Sequence, residues 1–317
     1  MTNGKTRNLK LAIALGVLAV VAAVAWFEPT GVVRGMVRRE PFFDGRPASA
    51  WANRLRDANE QAALEARRRL KAGGAEAAPV LGYLLVTRAD GDWSSAKLRG
   101  DVIDILAEIG PLASAAVPSL IESLADPDSS VRGRAAETLG LVAPDDPNVV
   151  TALTAHLSMP EARSAARGLA RCGPAGHTAT DALITLLRNS DPDIRWNAAR
   201  ALGKIRASAA VAPLMILLDD PDDLCREHAA EALGDLGPEA APAVGKLIAT
   251  LKDRYPKARR DAARALGQIG PAAATAIPAL ETRVKEDSED MVRRAAQTSL
   301  RQLGADTPKK ETTGERK

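Results

Sequence analysis

What most limits the folds open to this chain is a thirteen-residue phrase that returns along it. Residues 258–270 read ARRDAARALGQIG, Val131–Val142 reads VRGRAAETLGLV, Ile194–Ile205 reads IRWNAARALGKI, and Cys225–Gly237 reads CREHAAEALGDLG. Aligned on Leu-Gly, apolar residues take the first, fifth, ninth and twelfth places, which is the i, i+4, i+8, i+11 stripe of an amphipathic helix. The Ala-Ala pair leaves room for a neighbouring helix to approach. The Gly after Leu is small at the place where two helices would touch.

The first places of the copies fall at Ala62, Leu98, Val131, Glu161, Ile194, Cys225, Ala258 and Val292, with spacings of 36, 33, 30, 33, 31, 33 and 34 residues. Self-similarity with a period of 20–50 residues is the mark of a stacked repeat architecture. A second apolar stretch follows each copy, often opened by Gly-Pro, as at Gly110-Pro111, Gly173-Pro174, Gly237-Pro238 and Gly270-Pro271. Proline suits a first helical turn, where its missing N–H leaves no bond unmade. The unit is helix A, a Gly-Pro turn, helix B, then an acidic turn such as Asp126-Pro127-Asp128 or Asp191-Pro192-Asp193.

An Asp-rich turn followed by Val-Arg-x-x-Ala-Ala-x-x-Leu-Gly-x-Ile-Gly is carried best by residues 126–142, 191–205, 219–237 and 253–270. This pattern resembles the HEAT family, in particular the short HEAT-like repeats of phycobilisome lyases, over roughly residues 60–304. The resemblance implies an all-α solenoid of about seven helix pairs and a terminal half-repeat. It implies no single activity, because a fold hosts many functions. The composition agrees: with 3% aromatic and 46% hydrophobic residues, the core must be built from Ala, Leu, Val and Ile. A solenoid grows by repetition, so one unit is expected despite the length.

The ends differ from the middle. Residues 1–10 hold Lys5, Arg7 and Lys10 and no acid, and 11–27 run without a charge as LAIALGVLAVVAAVAWF. Such a run is just long enough to span a bilayer, and Ala23-Val24-Ala25 also fits a secretory cleavage site. Trp26, bulky just beyond that cut, favours an uncleaved single-pass anchor; the alternative is secretion after cleavage near Ala25. The basic start favours repeats on the extracytoplasmic side, against which Arg34, Arg38 and Arg39 argue. Residues 28–46 read as a tether, resting on the bilayer through Phe42 and Phe43. Pro47–Asn59 reads as a capping helix with Ser49 at its N-cap and Trp51 and Leu55 on one face. The solenoid is then 47–304, closed by the lone A helix Met291–Gly304, and 305–317 is an expected disordered tail.

Net charge is +3 overall, yet residues 1–46 contribute +4 and 305–317 contribute +1, so the repeats carry −2. A phosphate-binding surface would show a basic excess, and no nucleic-acid role is expected. His156, His177 and His228 sit in different repeats without metal-ligand spacing. The resemblance brings deoxyhypusine hydroxylase into view, whose repeats hold two irons through His-Glu steps, but no His-Glu dipeptide occurs here. Cys172 and Cys225 take core places and behave as small hydrophobes. No catalytic residue, cofactor, metal or small-molecule substrate is expected. The repeated Arg99, Arg132, Arg195, Arg226, Arg259 and Arg293 each follow an acidic turn, so an Asp–Arg ladder between repeats is their expected role. Leu202, Leu233 and Leu266 should be buried, and Arg200 and Glu231 should face solvent.

These readings point to a membrane-tethered, non-catalytic scaffold or adaptor for a protein partner. The alternatives are a HEAT-type lyase or hydroxylase, and a cytosol-facing assembly factor. In proteins this chain resembles, B helices line the concave face. Aligned on Leu120, Leu183, Leu247 and Leu280, their flanking places hold Glu122 and Ser123, then Asp181 and Thr185, then Lys246 and Thr250, and finally Thr282 and Arg283. The expected surface is a wet row running from acidic to basic, steered by charge.

Overall fold

The computed structural model describes residues 23, 30–86 and 95–305. The basic start, the anchor (except Ala23) and the tail beyond residue 305 therefore lie outside the described residues. The chain gathers into two compact units, one ending at Val142 and one beginning at Ala143, rather than the one expected. The boundary comes just ahead of an irregular copy of the motif, which has Glu161 at the first apolar place and Ala162 where six of its sisters have Arg.

In the first unit, the described part of the expected tether, residues 30–46, proves to be more than a tether. Helix α1 (Val32–Val37) is followed by a two-stranded hairpin of β1 (Phe42–Phe43) and β2 (Arg46–Pro47), with Phe42 opposite Pro47 and Phe43 opposite Arg46. The turn is Asp44-Gly45 with φ of 48° and 67°, the doubly positive geometry whose twist matches a hairpin and that Asp-Gly favours. The hairpin continues into α2 (Ala48–Leu55). Phe43 faces inward: its carbonyl accepts from Trp51 Nε1 at 2.9 Å, and the two rings lie 5.6 Å apart. Trp51 is fully buried. Ser49 is not the N-cap, a position taken by Pro47; the buried Glu40 carboxylate accepts from the Ser49 N–H at 2.7 Å. A distant acid thus does what a local hydroxyl was expected to do, since either oxygen can satisfy a first-turn donor. Helices α3 (Glu60–Gly73), α4 (Ala78–Val86), α5 (Ala96–Ile109), α6 (Val117–Glu122) and α7 (Ser129–Val142) complete the unit.

The second unit runs α8 (Pro147–Ala155), α9 (Ala162–Cys172), α10 (Thr180–Leu186), α11 (Pro192–Ile205), α12 (Val211–Leu217), α13 (Asp223–Leu236), α14 (Val244–Thr250), α15 (Pro256–Ile269), α16 (Ile277–Glu286) and α17 (Asp290–Gln302). Along the chain this gives seven A–B pairs from α3 to α16 and a final A helix, the expected all-α solenoid. Helix B does not start at Gly-Pro, however. Each Gly-Pro begins a 3-10 stretch such as Gly237–Ala243, and the α-helical part of B follows it. The glycine there has φ between 54° and 78°, which a side chain would strain.

Two contacts recur from repeat to repeat. The motif Leu202, Leu233 and Leu266 are fully buried. Beside them, a Cβ on Gly203 would stand 2.7 Å from Ala232 Cα, and one on Gly267 would stand 2.8 Å from Ser299 Cβ, so successive A helices come together where the motif has no side chain. At the turns, Arg195 grips Asp220 with Nε and Nη2 at 2.8 Å each, Arg226 grips Asp253 at 2.7 and 3.0 Å, and Arg259 grips Asp287 at 2.8 and 2.7 Å. Each arginine also donates Nη1 to two carbonyls of its own preceding turn, as Arg226 does to Asp220 at 2.8 Å and Pro221 at 3.3 Å. Each aspartate accepts the N–H two residues on, at 2.9, 2.7 and 3.1 Å. Arg99 and Asp126 repeat the pairing in the first unit. The expected ladder is present, with forked geometry that suits guanidinium to carboxylate.

Candidate partner-binding surface

The B helices of the second unit expose a row set by their core leucines: Leu183, Leu214, Leu247 and Leu280 are fully buried. With those fixed inward, the side chains one and two places on turn toward solvent. Asp181 and Thr185 are exposed, and Thr185 Oγ1 donates to the Asp181 carbonyl at 3.0 Å. Thr250 is buried, its hydroxyl donating to the Lys246 carbonyl at 2.9 Å. Lys246 Nζ is held by the Met215 carbonyl at 3.0 Å and by the Asp219 carboxylate. Arg283 leans on Asp287 at 3.4 Å, and Thr282 is half-buried. In the first unit Glu122 is exposed, but Ser123 is buried and donates to the Ser119 carbonyl at 2.8 Å.

The row therefore differs from the expected acidic-to-basic strip. Ser123 and Thr250 are withdrawn because a short hydroxyl beside a helical carbonyl bonds back to its own helix. The basic end is largely neutralised, since both cations sit beside a carboxylate.

The largest departure comes from α12, which the four-helix alignment left out. Its sequence VAPLMIL puts Ile216 at the place held by Glu122, Thr185 and Thr282 elsewhere, and Ile216 is 65% exposed. Between α10 and α12 lies a cavity of about 330 Å³ whose apolar wall includes Ile184, Leu187, Pro213 and Ile216, with Arg188, Asp219 and Asp220 at its polar edge. Asp220 is committed to Arg195, which holds its carboxyl below the ordinary range although burial pushes the other way. The signal was in the sequence: α12 lacks a Gly-Pro opening and keeps unbroken apolar character through Leu218.

The opposite side of the unit, along the A helices, is a polar mesh. Trp196 stacks on His228 at 4.8 Å and lies under the Arg167 guanidinium. His228 Nδ1 is 2.8 Å from Glu231, and Lys204 reaches Glu231 at 3.2 Å and Asp235 at 2.6 Å. Glu231 does not simply face solvent. The His228 hydrogen bond, aided by Lys204 and opposed by burial, holds its carboxyl down at about 2. Arg200 is exposed, as expected.

His156 Nδ1 lies 2.8 Å from the Ala152 carbonyl on its own helix, and His177 is exposed. Among the described residues, no group of three or more His, Cys, Asp or Glu side chains is placed to hold a metal ion. Cys172 and Cys225 are buried and unbridged. Burial raises their thiols to about 11 and about 12 respectively, far from the thiolate a nucleophile needs.

The comparisons with known proteins agree on architecture. The family described as HEAT repeats matches residues 85–164, 160–234 and 216–301. Phycocyanobilin lyase subunit alpha of Picosynechococcus sp. is 43% identical over 79 residues, covering 22% of this chain and only 30% of that protein. The X-ray structure of YibA from Escherichia coli is 18% identical with a TM-score of 0.57, covering 86% of this chain and 97% of that one. Human deoxyhypusine hydroxylase, solved with glycerol, is 23% identical with a TM-score of 0.33, covering 88% and 100%; so loose a likeness carries no argument about chemistry. The family match spans more than half of the sequence, on the residues whose leucines, glycines and arginines build the stack, and the chain belongs to the HEAT-repeat proteins.

Proposed function

We propose that this chain is a non-catalytic adaptor, tethered to a membrane by residues 11–27, that holds a protein partner against the B-helix side of its second unit. The observation that carries the reading is the cavity between α10 and α12 with Ile216 standing 65% exposed at its wall. An isoleucine left in water beside a concave apolar surface offers a partner side chain a place to be desolvated, and such buried anchors supply most of an interface's binding energy. Two of the three charges at its edge are already paired, Asp220 with Arg195 and Asp219 with Lys246. They serve as a rim that selects orientation, and the apolar centre supplies the affinity. The contact is then less salt-sensitive than the charged strip expected from sequence.

Ile216→Glu tests the reading. The side chain is mostly in water, so the melt should stay within about 0.5 kcal/mol of the parent. Proteins co-purifying with the membrane-bound parent should be lost with Ile216→Glu and kept with Arg200→Glu on the A-helix side. The same captured set from both variants would remove the B-helix side from consideration.

A further inference from the structure

We propose that α1 and the hairpin form a foot lying in the headgroup layer of an anionic bilayer; this rests on the anchor reading above. Three exposed apolar side chains stand together in this small module: Met36 at 65%, Val37 at 64% and Phe42 at 37%. The Phe42 ring lies against the backbone of Gly35 in α1, where an added Cβ would come 3.1 Å from its Cζ. Phe43, the neighbour expected to share a lipid-facing role, is instead turned onto Trp51. A free-standing two-strand hairpin is marginal in water, but this one is pinned from behind by Trp51, by Glu40 on the Ser49 N–H and by the Asp44–Arg69 pair at 3.2 Å. The apolar side chains are therefore presented by a built platform.

Basic side chains lie beside them: Arg38 and Arg39 are exposed at the end of α1. Among the described residues, Glu40 is engaged by the Ser49 N–H and Asp44 by Arg46 and Arg69. Arg39 holds φ of 56°, the left-handed position after a helix that usually falls to glycine. Its side chain has no partner among the described residues. A strained position occupied by an unpaired arginine is where a ligand is to be sought. Apolar side chains flanked by arginines match an interfacial segment, with the former among acyl chains and the latter at phosphates.

Chain length fixes the location. Val32 lies five chain steps beyond Phe27, and an extended chain covers about 3.5 Å per residue. With residues 11–27 in the bilayer, α1 begins within roughly 17 Å of the end of the apolar run, close enough to lie at the headgroup region, which is about 5–8 Å deep on one side.

The test uses the full chain in phosphatidylcholine vesicles with and without phosphatidylglycerol. Nitroxide labels are placed by Met36→Cys and, as a control on an exposed position of the same unit, by Ser130→Cys. Cys172 and Cys225 are buried, and the unsubstituted chain serves as the labelling blank. The label at residue 36 should be shielded from a water-soluble paramagnetic reagent and reached by dissolved oxygen, while the label at residue 130 stays open to the aqueous reagent. Arg38→Glu with Arg39→Glu should erase the added shielding that phosphatidylglycerol gives. A chain that floats with vesicles while residue 36 is as wet as residue 130 overturns the foot and leaves the anchor standing. Failure to float at all removes the anchor, and the foot with it.

Discussion

The start of the first unit and the body of the second are held together on different plans. Between α11 and α17 the interactions that join one repeat to the next are written several times: a leucine in, a glycine where helices touch, an arginine on the next turn's aspartate. Around the hairpin each interaction is written once: Trp51 on the Phe43 carbonyl, Glu40 on the Ser49 N–H, Asp44 on Arg69. Losing a contact in the first plan weakens one junction among several. Losing one in the second removes a fastening that no copy repeats. Because repeats interact chiefly with their neighbours, the two plans should respond differently to equal insults.

The sharpest separation comes from Trp51→Ala. Emptying a fully buried tryptophan site costs about 3–5 kcal/mol, and the loss should fall on the hairpin. Hydrogen exchange should quicken across residues 31–55 and stay slow across α13–α15. Leu266→Ala, at about 2–5 kcal/mol, should instead quicken exchange in α13, α15 and α17 together. If both variants loosen the same residues, the contrast between single and repeated fastenings fails.

Next in size is Asp253→Asn. It leaves the Arg226 guanidinium, whose side chain is 9% exposed, without its main counter-charge, and unpairing a buried ion costs about 3–5 kcal/mol. Asp223 also reaches Arg226, at 2.6 Å, so the loss should lie at or below the lower end. Replacing both partners, Arg226→Met with Asp253→Leu, should recover most of it. A double variant no better than the single one would mean that the arginine matters for its turn carbonyls rather than its aspartate.

How much of this was legible follows the same division. The leucines, the glycines and the arginine ladder could be read because alignment of the chain with itself separates structure from accident. Asp44-Gly45 was equally informative, as a two-residue hairpin turn between Phe43 and Arg46, but it occurs once and was passed over among neighbouring glycines and prolines. Glu40 could not have been read, since its target lies nine residues on and depends on the hairpin having formed. On the candidate surface, the exposed places of Glu122, Asp181 and Thr185 followed from helical phase. The withdrawal of Thr250 and the pairing of Lys246 with Asp219 did not, because both depend on which way a side chain turns after its helix is set. Ile216 was missed for a simpler reason: its helix lacks the Gly-Pro that had served to find the others.

A smaller effect concerns acid. Glu231 titrates at about 2 in the folded chain, below its ordinary value, so its contribution is complete above about pH 4.5 and is lost as pH falls toward 2. At neutral pH that contribution is on the order of 2 kcal/mol. The stability gap between the parent and Glu231→Gln should therefore narrow on acidification below about pH 4.5; a gap constant with pH would place the glutamate outside the His228–Lys204 mesh. Smallest of all, Arg200→Ala should stay within about 0.5 kcal/mol.

The arginine ladder carries one further consequence. Each arginine reaches back by a fixed count, to the carbonyls six and five residues before it, in Arg132, Arg195, Arg226, Arg259 and Arg293 alike. Forward, the count to the next aspartate varies: 25 from Arg195, 27 from Arg226 and 28 from Arg259. Insertions and deletions have been absorbed between an arginine and the next acidic turn, and the splice from that turn into its own helix has stayed constant. Any repeat bearing both residues can thus follow any other, so a duplicated or excised copy would meet a ready-made joint on either side. One exception is Ala162, whose successor turn carries Asn189 in place of aspartate: donor and acceptor are missing together, and a copy exchanged there would have to bring both or neither.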